Sequence, residues 1–143
     1  MAIASEILQD LVSALRACGH FAVVTLGPSS DTAAPRAAVH YDGQDFFPAD
    51  DQPAGRYVRL RARVIIHTRC SHPAEQAGRE LDLAGLAGEA LLADPYRGGR
   101  CRDLPIGRAT EVGQAEPAGT VARPEMETLF AVRCHFEIPG GET

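Results

Sequence analysis

RYVRLRARVIIHTRC, residues Arg56 to Cys70, is the stretch that decides the fold. Its side chains alternate strictly: Val58, Leu60, Ala62, Val64 and Ile66 are apolar, and between them stand Arg59, Arg61 and Arg63. Successive side chains of a strand point to opposite sides, so this pattern predicts one long strand with an apolar face and an arginine row. At about 3.3 Å per residue, the strand would reach roughly 45 Å and could pair with several neighbours.

A second alternating segment, Glu127–Ile138, lies near the end of the sequence. It is the natural antiparallel partner of Val58–Thr68, and it would place Arg133 and His135 on the face of the arginine row. Shorter strands are expected at Phe21–Leu26, Ala37–Tyr41 and Cys101–Val112, the last weakened by Pro105 and Gly107. Gly113–Pro124 is expected to be a loop.

Two helices complete the predicted elements. Apolar residues at three- and four-residue steps predict an amphipathic helix over Ile3–Cys18, which Gly19 would end. A second helix is expected to begin near Ser71-His72-Pro73 and to run to about Leu92. It contains Gly78, Gly85 and Gly88, which predict close backbone approach to the sheet or to a neighbouring subunit. The alternative is that these glycines only weaken the helix.

The order of elements predicts an α+β fold: a mainly antiparallel sheet with both helices packed on its apolar face. The arginine face is then left outside. With 143 residues, the chain is expected to form a single domain over 1–143, with a flexible tail over 139–143.

An acidic segment, DGQDFFPADDQPAG, interrupts the predicted sheet at residues 42–55. Its four aspartates, two prolines and two glycines predict a long excursion loop. Phe46 and Phe47 at its centre need burial, either in the chain itself or against a partner.

The composition and net charge indicate the general class of the protein. The chain is 45% hydrophobic with a net charge of -5, as expected for a soluble protein that does not bind nucleic acid by bulk charge. The four widely spaced cysteines suggest reduced thiols in the cytosol. The N-terminus does not resemble a signal peptide, and no apolar run is long enough for a membrane span.

The sequence contains only weak patterns for a metal site or a catalytic site. His67, Cys70 and His72, with Cys101 or His135, could form a zinc site, but His67 and Cys70 would project to opposite faces of a strand. Cys18 and His20 could form a nucleophilic pair, although a cysteine on an apolar helix stripe is more often packed and inert. The aspartates Asp42, Asp45, Asp50 and Asp51 lack the ordered spacing of a calcium loop. The sequence therefore predicts no enzyme, no cofactor and no metal.

The arginine row allows three interpretations: a solvated face, a protein interface or a nucleic-acid contact. A further hypothesis joins it to the acidic segment. Head-to-tail contacts could place Asp50 and Asp51 of one subunit near the arginine row of the next and so close a ring. The candidate interface residues are then Arg59, Arg61, Arg63, Arg133, Asp50, Asp51, Phe46 and Phe47.

The order of elements, the basic strand RLRARVIIHTR, the passage EALLADPYRGGRCRDL and the final LFAVRCHFEI together resemble the tail terminator (tail completion) proteins of lambda-like, long-tailed bacteriophages. The most telling residues are Asp94, Pro95, Gly98 and Gly99, which match the turn before a strand in that family. Tyr96 and Arg97 depart from it, since smaller or apolar residues are expected there.

The resemblance implies a hexameric ring in the virion, assembled in the host cytoplasm, at the head-proximal end of the tail tube. Such a ring ends tube growth and presents the head-tail joining surface. Its implied partners are its own copies, the major tail tube protein, a head connector or head-completion protein, and DNA that passes without sequence-specific binding; no membrane is involved. The alternatives are another neck, minor tail or head-completion protein, a small α/β enzyme, or a basic-faced nucleic-acid-binding module.

Overall fold

The computed structural model of the chain describes residues 3–28, 33–46, 57–70, 73–101, 110–112, 116–121 and 126–139. In chain order the elements are α1 (Ile3–Cys18), β1 (Val23–Leu26), β2 (Arg36–Phe46), β3 (Tyr57–Cys70), α2 (Pro73–Leu92), β4 (Thr110–Val112), β5 (Glu116–Val121) and β6 (Met126–Pro139). Both predicted helices and both long strands are confirmed. Within the described residues, neither helix combines the length and the apolar character needed to cross a membrane.

The six strands of the described residues form one mixed sheet. Its order is β1-β2-β3-β6-β4, and β5 also pairs with β6. Among the described strand pairs, β1–β2 is parallel and the others are antiparallel. The β3–β6 ladder extends from Tyr57 opposite Pro139 to Cys70 opposite Met126, which confirms the predicted partnership of the two long strands.

The core lies between one face of this sheet and the two helices, as the predicted α+β fold requires. From the helices it takes Ile7, Leu8, Leu11, Val12, Leu15, Leu83, Ala84, Ala87 and Leu91. The central strands supply Val58, Leu60, Ala62, Val64, Ile66, Val132, Cys134, Phe136 and Ile138. These are the alternate positions of β3 and β6, because the period of a strand is two and only one face is covered by helices.

Several element boundaries differ from the prediction, and β1 begins at Val23 rather than at Phe21. β2 continues to Phe46, so residues 42–46 of the predicted acidic loop belong to a strand. β5 lies within the segment predicted as the loop Gly113–Pro124. Cys101 lies in a bend rather than in a strand, and Pro139 ends β6 rather than starting a flexible tail. β5 tolerates Pro117 and Gly119 through a register shift between these two residues, since an irregular pairing does not need every backbone N–H.

A turn after α2 ties the two helices together through Arg97. This residue has a positive φ of 47° and is only 1% exposed. Its Nη1 donates to Asp10 Oδ2 of α1 at 3.0 Å, and its Nε donates to the Asp94 carbonyl at 2.8 Å. Nη2 donates to the carbonyl of Leu91. The position expected to be small or apolar therefore holds a buried guanidinium, because three acceptors converge on it.

Candidate subunit interface

The sheet face opposite the helices carries the predicted arginine row and is called here the arginine face. Arg59, Arg61 and Arg63 of β3 lie there partly buried, and Arg133 of β6 is exposed. The register places Arg61 opposite His135 and Arg63 opposite Arg133. Arg59 stands opposite Glu137 of β6, which is buried. The structure thus brings the four predicted arginines together on one surface.

Two aspartates of the acidic segment join this surface within the same chain. Arg61 Nε lies 3.5 Å from Asp45 Oδ2, and Arg63 Nε lies 3.4 Å from Asp42 Oδ1. All four side chains remain partly exposed, so each pair contributes at most about 1 kcal/mol to stability. Their main effect is to set alternating charges on the arginine face.

A β-bulge makes these contacts possible. Between the pairs Tyr41–Ala62 and Gln44–Leu60, β2 has two residues, Asp42 and Gly43, where β3 has only Arg61. Gly43 has a φ of +101°, a conformation that side chains disfavour, and a Cβ at this position would lie 2.8 Å from Arg61 Nη2. The bulge therefore lets β2 continue as a strand while Asp42 and Asp45 both reach the arginine row.

The other predicted interface residues are not placed by the structure. Phe47, Asp50 and Asp51 lie outside the described residues, and Phe46 is described only through its backbone, as the last residue of β2. The contact between Asp50, Asp51 and a neighbouring subunit's arginine row therefore stays a prediction.

The described candidate metal and nucleophile residues form no group as large as a metal site. Within the described ranges, no three or more histidine, cysteine or acidic side chains stand together as a metal site would need. His72 lies outside those ranges. Cys18 Sγ donates to the Leu15 carbonyl at 3.0 Å, and His20 is exposed. Burial raises the pKa of the Cys134 thiol to about 12, so this cysteine stays a neutral thiol at physiological pH.

Two basic residues of this face were missed by the sequence analysis. Arg36 and His40 of β2 pair with His67 and Arg63 of β3, and so they lie on the arginine face. The alternation of Arg36, Ala38 and His40 in the sequence was the signal that could have identified them.

Two of the three glycines of α2, Gly78 and Gly85, do not approach the sheet. Gly78 and Gly85 are exposed, and a Cβ at either position would meet no heavy atom within 4 Å. For these two glycines, the expectation of close packing against the sheet is wrong, whereas for Gly88 it stays a prediction. A contact between this helix face and a neighbouring subunit stays a prediction.

Replacement of Gly85 by alanine is expected to raise the free energy of unfolding by about 0.5–1 kcal/mol, because alanine favours a helix and finds open space there. Urea denaturation measures the change. Gly99→Ala is the matched control, since Gly99 also has open space but a φ of +82°, and it should destabilise by about 1 kcal/mol. A loss of stability in Gly85→Ala would contradict the exposed position, whereas a more stable variant that self-associates less would indicate a subunit contact.

Comparisons with known proteins find similarity in fold but not in sequence family. No protein-family model matches the chain, and no curated protein matches it by sequence. Among solved structures, the gp17 protein of bacteriophage SPP1 is similar with a TM-score of 0.50 and 12% identity, over 96% of this chain and 94% of that chain. A chain in the virion of a native gene transfer agent particle aligns over 94% of this chain and 95% of its own at 17% identity. The TM-score of this alignment is 0.39.

Proposed function

We propose that this chain is a structural protein of a tailed-phage particle, which forms a ring at the head-proximal end of the tail tube. The ring would end tube growth and provide the surface for head-tail joining. The observation that carries the proposal is the likeness in fold to a bacteriophage protein, gp17 of SPP1, across 96% of the chain. The terminator role itself is supported by the resemblance of the passage from Glu89 to Leu104.

The geometry suits a protein that acts through its surfaces. One face of the sheet has no helix over it within the described residues and carries both signs of charge, with Arg61 and Arg63 beside Asp45 and Asp42. A surface of mixed charge favours specific, oriented contacts with a complementary partner. The partners we propose are further copies of the chain in a hexamer, the major tail tube protein and a head connector or head-completion protein.

The net charge of the chain affects how such a ring would interact with DNA. At -5 per chain, six copies would present an acidic conduit that repels phosphates overall. DNA would then pass through the lumen without sequence-specific binding. In this proposal the protein performs no catalysis, and its work is assembly in the virion.

Native mass spectrometry of the purified chain, alone and with purified tail tubes, tests the proposal. A hexamer is expected at about 91 kDa, six times the 15.2 kDa of one chain. Electron microscopy should then show the ring at one end of each tube. A chain that stays monomeric and does not bind tube ends would contradict the proposal.

Charge reversal tests the predicted head-to-tail contact. Asp50→Arg combined with Asp51→Arg should abolish the hexamer, because arginines would face the arginine row of the next subunit. Adding Arg59→Asp and Arg133→Asp to the same chain should restore part of the assembly, since opposite charges would again meet. An unchanged mass for the first variant would contradict this contact while leaving other ring geometries open.

A further inference from the structure

The side of α2 that faces away from the sheet is called here the outer face of α2. Steps of three and four residues place its members on the side of the helix opposite the buried Ala87. All of them are exposed: Glu75, Gly78, Leu81, Asp82, Gly85 and Glu89. Leu81 is 63% exposed, and the glycines leave the helix backbone beside it open to a neighbouring surface.

The outer face of α2 carries a line of carboxylates. Glu75, Asp82 and Glu89 recur at steps of seven residues, so neighbouring acids lie about 10 Å apart along the helix. Arg79 is the one basic residue in the sequence of α2, and it lies toward one side of this line. A line of acids beside an exposed leucine is complementary to a basic partner surface.

A basic surface of this kind lies on the other side of the sheet. On the arginine face, the side chains of Arg61 and Arg63 are 40% and 41% exposed. Their Nε atoms and Nδ1 of His135 are enclosed, and within the described ranges none of the three has a hydrogen-bond partner. The Nε contacts with Asp45 and Asp42, at 3.5 and 3.4 Å, are ion pairs longer than a good hydrogen bond. Since a guanidinium has five N–H donors, both arginines can bind further carboxylates.

We infer that copies of the chain associate head to tail, with the outer face of α2 in one copy docked on the arginine face of the next. Asp82 and Glu89 would meet the neighbour's Arg61 and Arg63, and Leu81 would be buried beside these pairs. Because the two surfaces lie on opposite sides of the sheet, a chain cannot join its own. Each copy therefore offers one surface to each neighbour, which closes a ring when the rotation between copies allows it.

This inference rests on the proposed function and deepens it. It gives the ring a subunit contact besides the one predicted for the acidic segment, and it uses different arginines from those chosen to restore that contact. The carboxylates stand farther apart than Arg61 and Arg63, which are about 7 Å apart along β3. Long, flexible arginine side chains can close a difference of this size.

Charge exchange between two variants tests the contact by native mass spectrometry. Asp82→Arg with Glu89→Arg makes the helix face basic, and Arg61→Glu with Arg63→Glu makes the arginine face acidic. Each variant alone should associate about a hundredfold or more weakly than the wild-type chain, because like charges would meet. An equimolar mixture should restore the hexamer with equal numbers of both variants, since every contact then joins a basic surface to an acidic one.

A milder pair of variants controls for net charge. Asp82→Asn with Glu89→Gln raises the net charge by two and should weaken association by about tenfold. Gln9→Lys with Ser13→Lys raises it by the same amount at exposed positions of α1, and it should change association by less than about twofold. If the acidic variant of the arginine face does not fold, Arg61→Gln with Arg63→Gln replaces it and should weaken association by about tenfold.

The outcomes separate this inference from the proposed function. A wild-type hexamer that the Asp82→Arg, Glu89→Arg variant retains would overturn the inference and leave the proposed function intact. Two folded, monomeric variants that do not assemble when mixed would overturn the pairing of these two surfaces. A wild-type chain that stays monomeric, alone and with tail tubes, would contradict both.

Discussion

Replacement of Arg97 by methionine is expected to lower the free energy of unfolding by about 3 kcal/mol, enough to remove much of the stability of a small domain. Methionine fills a similar length but donates no hydrogen bond. The Leu91 carbonyl would lose its buried donor, and Asp10 would lose its ion pair. The Asp94 carbonyl would lose the guanidinium but keep the backbone N–H of residue 97. Buried acceptors left unpaired cost about 1–3 kcal/mol each, which sets the size of the effect.

Arg100→Met is the control for this prediction. Arg100 lies in the same turn and also contacts α1, with its Nε 3.9 Å from Glu6 Oε2, but both side chains are partly exposed. Its loss should cost less than about 1 kcal/mol. Urea denaturation of the two variants beside the wild-type chain makes the comparison. A similarly small loss of stability in both variants would show that the hydrogen bonds of Arg97 do not hold the two helices together.

Phe136→Ala is expected to destabilise the chain by about 3–5 kcal/mol, because it opens a cavity at the centre of the core. Phe136 is fully buried on the helix-covered face of β6. It stands opposite Leu60 of β3 on one side and Thr110 of β4 on the other, so the gap would lie where three strands meet.

Tyr41→Ala is the matched control for the cavity, since it also deletes an aromatic ring from a sheet strand. Tyr41 is 54% exposed, and the change should cost less than about 1 kcal/mol. Thermal unfolding followed by circular dichroism measures both variants. If the Phe136→Ala variant is as stable as the Tyr41→Ala variant, the buried position of Phe136 in the core is contradicted, unless the neighbouring side chains move to fill the cavity.

The long strands and the helices could be predicted because their patterns persist over many residues. Apolar and basic residues alternate from Val58 to Val64 in β3, and β6 alternates over a similar length, so the period of a strand fits both segments better than that of a helix. The sequence predicts a shorter β2 than the structure has, because Asp42, Gly43 and Asp45 have the composition of a loop. Only a bulge, which depends on the neighbouring strand, allows them to belong to a strand.

The candidate site was predictable in part for the same reason. The arginine row follows from the period of β3 alone. The ion pairs of Arg61 and Arg63 with Asp45 and Asp42 depend on the bulge. The position of Arg36 on the same face depends on the register that sets it opposite His67. The contact between Asp10 and Arg97 joins residues 87 positions apart, so no local pattern could reveal it.

The pairing of β3 with β6 also affects how fast the chain folds. Tyr57 meets Pro139 and Cys70 meets Met126, so each pairing closes a loop of more than about fifty residues before any of its contacts contribute. Chains with such high contact order fold in milliseconds to seconds, far more slowly than helical bundles of similar stability. During that interval α1 can already exist, whereas the edges of the unfinished sheet stay open to other newly made chains.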